Sequence, residues 1–143
     1  MTERLVAPLT GGCGCGAVRF EVTAPPLVAS YCHCTRCQRR TGGGSSLQLR
    51  VAPGAFRIVD GQDRIGRWLP PGGFAKCFCI SCGSALFSQS PVDPTIVSVR
   101  FGAFDGDPGI RPSYRQFVAY APPWDPVPDD GLPRFAEARP PDA

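Results

Sequence analysis

The sequence lacks long apolar runs and has few stretches free of glycine and proline. Seventeen glycines and 17 prolines are scattered through 143 residues, so few segments could hold a long helix. No segment approaches the roughly 18 consecutive apolar residues of a membrane-spanning helix. The first twelve residues have no basic region followed by an apolar one, as a secretory signal would. A helical bundle is excluded, and we expect a cytoplasmic protein that does not bind a membrane.

Short segments in which apolar and polar residues alternate make up most of the chain. Val18, Phe20 and Val22 share one face of residues 17–23, which is the spacing of a half-buried strand. Similar segments recur at residues 47–51, 56–58, 97–101 and 114–120. Turn signals such as Pro53-Gly54 separate them. The pattern predicts a mainly β fold, an antiparallel meander with short helical turns only.

Residues 27–41 form the one segment of fifteen residues without glycine or proline. We expect a strand that ends at Cys32, followed by a short helical turn from Thr35 to Arg40. Residues 137–143 are polar and rich in proline, so they are expected to form a flexible tail. The length fits a single domain, which we expect to span residues 1–143.

Eight cysteines fall into three local groups. The groups are Cys13-Gly14-Cys15, Cys32-His33-Cys34-Thr35-Arg36-Cys37 and Cys77-Phe78-Cys79-Ile80-Ser81-Cys82. Thiols one or two residues apart can turn toward one ion, whereas cysteines that only fill space need no such spacing. In a reducing compartment, clustered thiols are metal ligands or catalytic groups rather than disulfides.

The first and last groups predict a structural metal centre. Gly83 follows Cys82 in the C-x-x-C-G pattern of a zinc knuckle, because glycine allows the tight turn that such a knuckle needs. Cys13, Cys15, Cys79 and Cys82 would supply the four thiolates of a tetrahedral zinc site. The number of thiolates alone leaves an iron–sulfur cluster open.

The middle group offers three thiols, the number of protein ligands that a catalytic zinc site uses. Cys32, Cys34 and Cys37 would leave a fourth position for water or substrate, where the metal could lower the pKa of a thiol or polarise a carbonyl. The alternative is a second closed site that Cys77 or His33 completes. His33, between two of the thiols, is expected to face away from the metal and to form a hydrogen bond.

Three arginines, Arg36, Arg39 and Arg40, follow or lie within the middle group. They could bind the carboxylates of an acidic substrate, or they could be solvated; Arg36 and Arg40 are the candidates for substrate binding. The formal charge of +3 does not predict nucleic-acid binding, since thiolates holding two metal ions would bring the net charge near zero.

Three motifs together resemble the glutathione-dependent formaldehyde-activating enzyme (GFA) family, whose domain also occurs in centromere protein V. They are GCGCGAVRF at residues 12–20, CHCTRCQRRTG at 32–42 and FCISCGS at 78–84. Ala121-Pro-Pro-Trp124 and residues 130–135 extend the resemblance over nearly the whole chain. It implies the β-tent fold, in which two antiparallel sheets meet at a zinc ion.

The resemblance also implies roles for the cysteines and an activity. Cys13, Cys15, Cys79 and Cys82 would bind the structural zinc, and Cys32, Cys34 and Cys37 a labile catalytic zinc. The implied activity is the formation or cleavage of S-hydroxymethylglutathione from formaldehyde and glutathione. The sequence departs from the family pattern where Arg115-Gln-Phe-Val118 lacks a histidine and where Cys77 adds a thiol, so the particular substrate is left open.

Two functions follow as hypotheses. The first is a zinc-dependent carbon–sulfur lyase that acts on the adduct of a small-molecule thiol such as glutathione, with nearby arginines orienting its carboxylates. The second is a non-catalytic, zinc-stapled β scaffold that binds a protein partner through its sheet surface. One retained and one labile zinc ion would favour the lyase, and two equally inert ions the scaffold.

Overall fold

The computed structural model describes residue 5 and residues 7–142. The strands and the helix, in chain order, are β1 (Leu9–Gly12), β2 (Arg19–Val22), β3 (Val28–Cys32), α1 (Thr35–Thr41), β4 (Ser46–Arg50), β5 (Phe56–Asp60), β6 (Ile65–Trp68), β7 (Ala75–Cys79), β8 (Ala85–Gln89), β9 (Val97–Arg100) and β10 (Tyr114–Gln116). Single 3-10 turns lie at Gln62–Arg64, Phe101–Ala103 and Val118–Tyr120. In the described part of the chain, every helix is too short to cross a membrane.

The strands form a three-stranded sheet of order β1-β2-β5 and a seven-stranded sheet of order β10-β3-β4-β9-β8-β7-β6. The predicted mainly β architecture, with two sheets of the β-tent and short helical segments, is confirmed. The run from β6 to β9 is the expected antiparallel meander. β10 is the exception, because it pairs in parallel with β3 from a distant part of the sequence.

The helix α1 begins and ends on local signals. The Cys34 side chain caps its N-terminus by accepting a hydrogen bond from the Cys37 N–H at 3.3 Å. Gly42 ends it with φ 75°, a left-handed conformation that glycine adopts without strain. β3 ends at Cys32 as predicted, and the predicted helical turn is confirmed with one more residue, Thr41.

Aromatic side chains fill the space between the two sheets. Phe20 of β2 is 1% exposed, and its ring centroid lies 5.3 Å from that of Phe56 and 5.4 Å from that of Phe104. The Phe56 ring in turn lies 4.7 Å from the ring of Phe87 in β8. A continuous row of rings therefore connects the three-stranded sheet to the seven-stranded one.

An ion pair between the buried Arg115 and the more exposed Asp130 joins β10 to a later part of the chain. Arg115, in the middle of β10, is 6% exposed, and its Nη2 and Nε donate to Oδ2 of Asp130 at 2.7 and 3.1 Å. Its guanidinium also stacks on the Tyr31 ring, 3.9 Å from the centroid. Its Nη1 lies 3.2 Å from Nε2 of His33. One side chain thus links a late strand to the segment that carries the middle thiols.

Phe20→Ala should lower the free energy of unfolding by about 3–5 kcal/mol, because it removes a buried ring that packs against Phe56 and Phe104 and leaves a cavity. Urea unfolding measures this change. Val59→Ala, at an exposed position of β5, is the matched control and should change stability by no more than about 0.5 kcal/mol. A loss at Phe20 as small as at Val59 would contradict the row of rings as the core.

Asp130→Asn should reduce stability in a pH-dependent way. The Arg115 guanidinium, and then the Leu132 amide, hold the pKa of Asp130 below its usual value. A lowered pKa in the folded state stabilises the protein above the unfolded pKa, near about 4, and this contribution is lost as pH falls through the folded pKa. The urea midpoints of variant and wild type should therefore differ at pH 7 and converge in acid. A difference that does not change with pH would refute the ion pair.

Candidate metal centres and the adjoining cavity

Four cysteine thiols converge where the two sheets meet. Cys13 and Cys15 follow β1, Cys79 ends β7, and Cys82 lies in the turn before β8. Their Sγ atoms all lie within 4.8 Å of one another. The Sγ of Cys15 is 3.6 Å from that of Cys13 and 3.9 Å from that of Cys79. The fold thus brings together the two half-sites that the sequence spacing predicted.

Backbone amides surround these sulfurs. The N–H of Val18 points to Cys13 Sγ at 3.2 Å, and the N–H of Ser81 to Cys79 Sγ at 3.4 Å. Gly83, with φ 78°, closes the turn by donating its N–H to the Cys79 carbonyl at 2.8 Å. Such N–H donors stabilise thiolate over thiol, as a metal-binding site requires.

The donor set fits tetrahedral zinc. Zn–S bonds of about 2.3 Å place tetrahedral sulfurs about 3.8 Å apart, and the sulfur–sulfur distances of 3.6 and 3.9 Å lie on either side of that value. Hydrogen bonds from the Ser84 hydroxyl and then the Ser84 amide lower the pKa of Cys82 to about 5. All four positions of the tetrahedron would be taken by protein sulfurs.

Three further thiols surround the first turn of α1. Cys32 ends β3, Cys34 caps α1 and Cys37 lies in its first turn, with all three Sγ atoms within 4.8 Å of one another. Cys32 is buried, whereas Cys34 and Cys37 are half-buried. Hydrogen bonds from Cys32 and then Cys37 lower the pKa of Cys34, in the direction that metal binding requires.

The trio is not completed by Cys77 or His33. In residues 5 and 7–142, neither residue brings a ligand atom within 4.8 Å of all three sulfurs. Cys77 is buried in β7, where it pairs with Arg67 and Phe87 on the neighbouring strands. His33 is turned to Arg115, and because a guanidinium only donates, its Nε2 accepts. Burial, and then the charge of Arg115, lower the pKa of His33.

A cavity of about 500 Å³ opens over the trio and includes all three cysteines in its lining. Four cationic side chains also line it: Arg36, Arg50, Lys76 and Arg100. Phe74, Phe117 and Tyr120 add aromatic rings, and the residues of this lining include no aspartate or glutamate. The thiols therefore lie in a positive field that favours an anionic ligand.

The cations of the cavity have neutral partners. Arg50 Nε donates to the Ser98 hydroxyl at 2.9 Å, and Arg100 Nη1 to Oε1 of Gln48 at 3.2 Å. Burial lowers the pKa of Lys76, and the charge of Arg100 contributes to this shift. Within the described residues none of these three cations forms an ion pair with a carboxylate. A carboxylate that entered the cavity would meet cations that form no ion pair with a carboxylate of the described residues.

The two arginines predicted to bind substrate line different cavities. Arg36 lines the cavity over the trio. Arg40 instead lines a neighbouring cavity of about 670 Å³, whose wall includes Cys13 of the four-thiol group. Arg100 borders both cavities. The structure thus places Arg36 in the lining of the cavity over the trio, whereas Arg40 lines the neighbouring cavity, although the charge of Cys37 still acts on it.

Sequence patterns did not indicate Arg50, Lys76 and Arg100 as candidates. The alternation of β4 and β9 placed Arg50 and Arg100 on polar faces, but two polar faces can pair in many registers. Only the fold shows that Gln48 lies opposite Arg100 and that Arg50 lies opposite Ser98. This pairing brings both arginines to one cavity.

Comparison with known proteins identifies the family. The glutathione-dependent formaldehyde-activating enzyme family matches residues 8–120. The chain is 35% identical over 107 residues to a Halomonas elongata protein named "Putative glutathione-dependent formaldehyde-activating enzyme", a match that covers 69% of this chain and 67% of that protein. A crystal structure of a Rhodobacter sphaeroides protein shares the fold with a TM-score of 0.58 and 22% identity, over 89% of this chain and 99% of the other. With the motifs, the sheets and the two thiol groups in place, these matches show that the chain belongs to the glutathione-dependent formaldehyde-activating enzyme family.

Proposed function

We propose that the protein is a zinc-dependent enzyme that forms or cleaves a carbon–sulfur bond in a thiol adduct such as S-hydroxymethylglutathione, and that residues 1–143 act as one domain. The observation that carries this proposal is the cationic cavity over three clustered thiols. Glutathione has two carboxylates that arginines can bind and a thiol that the trio can receive. Membership of the family supports the same activity.

The two thiol groups would have different tasks. Cys13, Cys15, Cys79 and Cys82 would hold a structural zinc ion, closed to substrate because four sulfurs complete its coordination. Cys32, Cys34 and Cys37 would hold a labile zinc ion with one open position. Zinc bound by three thiolates would lower the pKa of an arriving thiol and so supply a thiolate nucleophile near neutral pH.

The side chains of the cavity would bind the substrate and stabilise the charge that develops on it. Arg36, Arg50 and Arg100 would bind the carboxylates of glutathione and so hold its sulfur above the trio. In the forming direction, the thiol would release its proton to water as it becomes a thiolate, the sulfur would attack the carbonyl carbon of formaldehyde, and the carbonyl electron pair would move to oxygen, which takes up a proton from water. The Lys76 ammonium would stabilise that oxygen, and cleavage is the reverse of each step.

The scaffold hypothesis is favoured by a separate observation. Trp68 and Leu69, at the end of the edge strand β6, are 49% and 54% exposed, and Ile80 after β7 is 60% exposed. Apolar side chains exposed at a sheet edge can bind a protein partner. They lie outside the lining of the cavity, so a scaffold role would not need the trio to react.

Mild chelation should remove one of two zinc ions from the purified protein. The open position of the trio admits a chelator such as EDTA, whereas the four-sulfur site has no open position. Cys37→Ser should lose the labile ion alone, and Cys82→Ser the retained one. Elemental analysis by mass spectrometry gives the metal content, and Cys77→Ala, which belongs to neither group, should keep both ions. Two equally inert ions would favour the scaffold.

Arg100→Met and Arg50→Met should each raise KM for the glutathione adduct about tenfold, because a hydrogen bond to a charged group contributes about 1.5–3 kcal/mol. The same variants should change KM far less for the adduct of 2-mercaptoethanol, which has no carboxylate. NMR exchange spectroscopy measures the rates. Arg111→Met is the control, since Arg111 is exposed and paired with Asp107 away from both cavities. If the wild type accelerates no thiol–aldehyde reaction, the enzyme proposal is wrong.

A further inference from the structure

The C-terminal strap, defined here as residues 130–139, runs along one side of the cavity over the trio. The family match ends at residue 120, so the strap lies beyond it. The Phe135 N–H donates to the Arg115 carbonyl at 2.9 Å, and the Arg115 N–H donates to the Pro133 carbonyl at 2.9 Å. These bonds continue the sheet past β10, and they place the strap against the chain that leaves this strand.

One wall of the cavity is formed by three residues at the end of β10 and just after it: Gln116, Phe117 and Tyr120. Each of them is bound by the strap. The Glu137 carboxylate accepts from the Tyr120 hydroxyl at 2.9 and 3.0 Å, and the Glu137 carbonyl accepts from the Phe117 N–H at 3.0 Å. The Arg139 N–H donates to Oε1 of Gln116 at 3.1 Å. The strap therefore contacts the whole wall through two of its residues.

Phe117 has a backbone conformation that it would not adopt alone. Its φ of 56° and ψ of 35° lie in the left-handed region, which bulky side chains rarely occupy. Such strain persists only where surrounding contacts impose it, and it clusters at functional sites. The hydrogen bond from the Phe117 N–H to the Glu137 carbonyl is one contact that can hold Phe117 in this conformation.

The wall is also tied to the thiols from its other side. The Gln38 amide, on α1, donates to the Tyr120 carbonyl at 2.9 Å and to the His33 carbonyl at 3.0 Å. His33 stands between Cys32 and Cys34 in the chain. The position of the wall relative to the sulfurs is thus set by α1 on one side and by the strap on the other.

We propose that the strap positions this wall and that Glu137 is a positioning residue, which acts through Tyr120 and Phe117 to set how a thiol substrate fits above the trio. Glu137 itself does not line the cavity. The inference rests on the proposed function for the identity of the substrate, while the contacts between strap and wall are independent of it. It assigns a role to a segment whose last three residues, 137–139, the sequence suggested only as part of a flexible tail.

Steady-state kinetics of the zinc-loaded full chain test the effect on substrate. Glu137→Ala and Tyr120→Phe should each raise KM for the glutathione adduct about threefold to tenfold, as expected for the loss of one hydrogen bond, with kcat and zinc content unchanged. The double variant should be no worse than either single one, because both remove the same bond. Glu137→Gln, which keeps an acceptor, should recover most of the loss. Asp142→Ala, a carboxylate beyond the strap, is the matched control and should match the wild type.

Hydrogen exchange of the same proteins tests the contact without any substrate. The amide of Phe117 should exchange about tenfold faster in Glu137→Ala than in the wild type or Asp142→Ala. The variant keeps the backbone carbonyl of residue 137, which accepts from the Phe117 N–H, but it loses the side-chain bond to Tyr120 that holds this carbonyl in place. An unchanged exchange rate would refute the proposal whatever the kinetics show. Faster exchange with an unchanged KM would also refute it, since the wall would then not set substrate binding.

Alkylation of the trio separates a failure of this inference from a failure of the proposed function. If the wild type does not act on glutathione adducts, the protein from which mild chelation has removed only the labile ion is treated with iodoacetate, an anion that must pass the wall to reach Cys34 and Cys37. A rate about threefold higher in Glu137→Ala than in Asp142→Ala would support the positioning role without the enzyme activity. Equal rates would overturn it.

Discussion

The convergence of Cys13, Cys15, Cys79 and Cys82 is the constraint on which the rest of the structure depends. It joins the end of β1, in the three-stranded sheet, to the hairpin of β7 and β8 in the seven-stranded one. Four thiolates so close together would repel one another, and a divalent cation removes that repulsion while adding strong bonds to sulfur. The row of phenylalanine rings then fills the space that this junction encloses.

The trio depends on a different set of contacts, and this difference suits a different role. Its sulfurs come from a strand end and one helical turn, held by Gln38 and by the network of His33, Arg115 and Asp130. The side that faces the cavity is bordered by cations with neutral partners rather than by a fourth ligand. A closed site for stability and an open one for binding can therefore share a small domain.

Local features of the sequence predicted much of this arrangement. The alternation of Val18, Phe20 and Val22 predicted β2 because one face of that sheet is buried, and a period of two is then required. The cysteine spacings predicted both thiol groups, since neighbouring ligands need only a tight turn to face one ion. The end of β3 and the start of α1 followed from a segment free of glycine and proline.

Features that depend on distant pairings could not be predicted in this way. Arg50 and Arg100 approach one another because of the register between β4 and β9. The strand and turn patterns of the sequence do not determine that register. The parallel pairing of β10 depends on a buried arginine, a residue type that sequence patterns place on the surface. The left-handed Phe117 has no sequence signal, because its conformation comes from contacts with the strap.

An anomalous difference map at the zinc absorption edge, from crystals of the protein as purified, tests the central claim most directly. The account predicts one strong peak enclosed by Cys13, Cys15, Cys79 and Cys82, at about 2.3 Å from each sulfur, and a second, weaker peak at the trio. A map with no peak among those four sulfurs would contradict it.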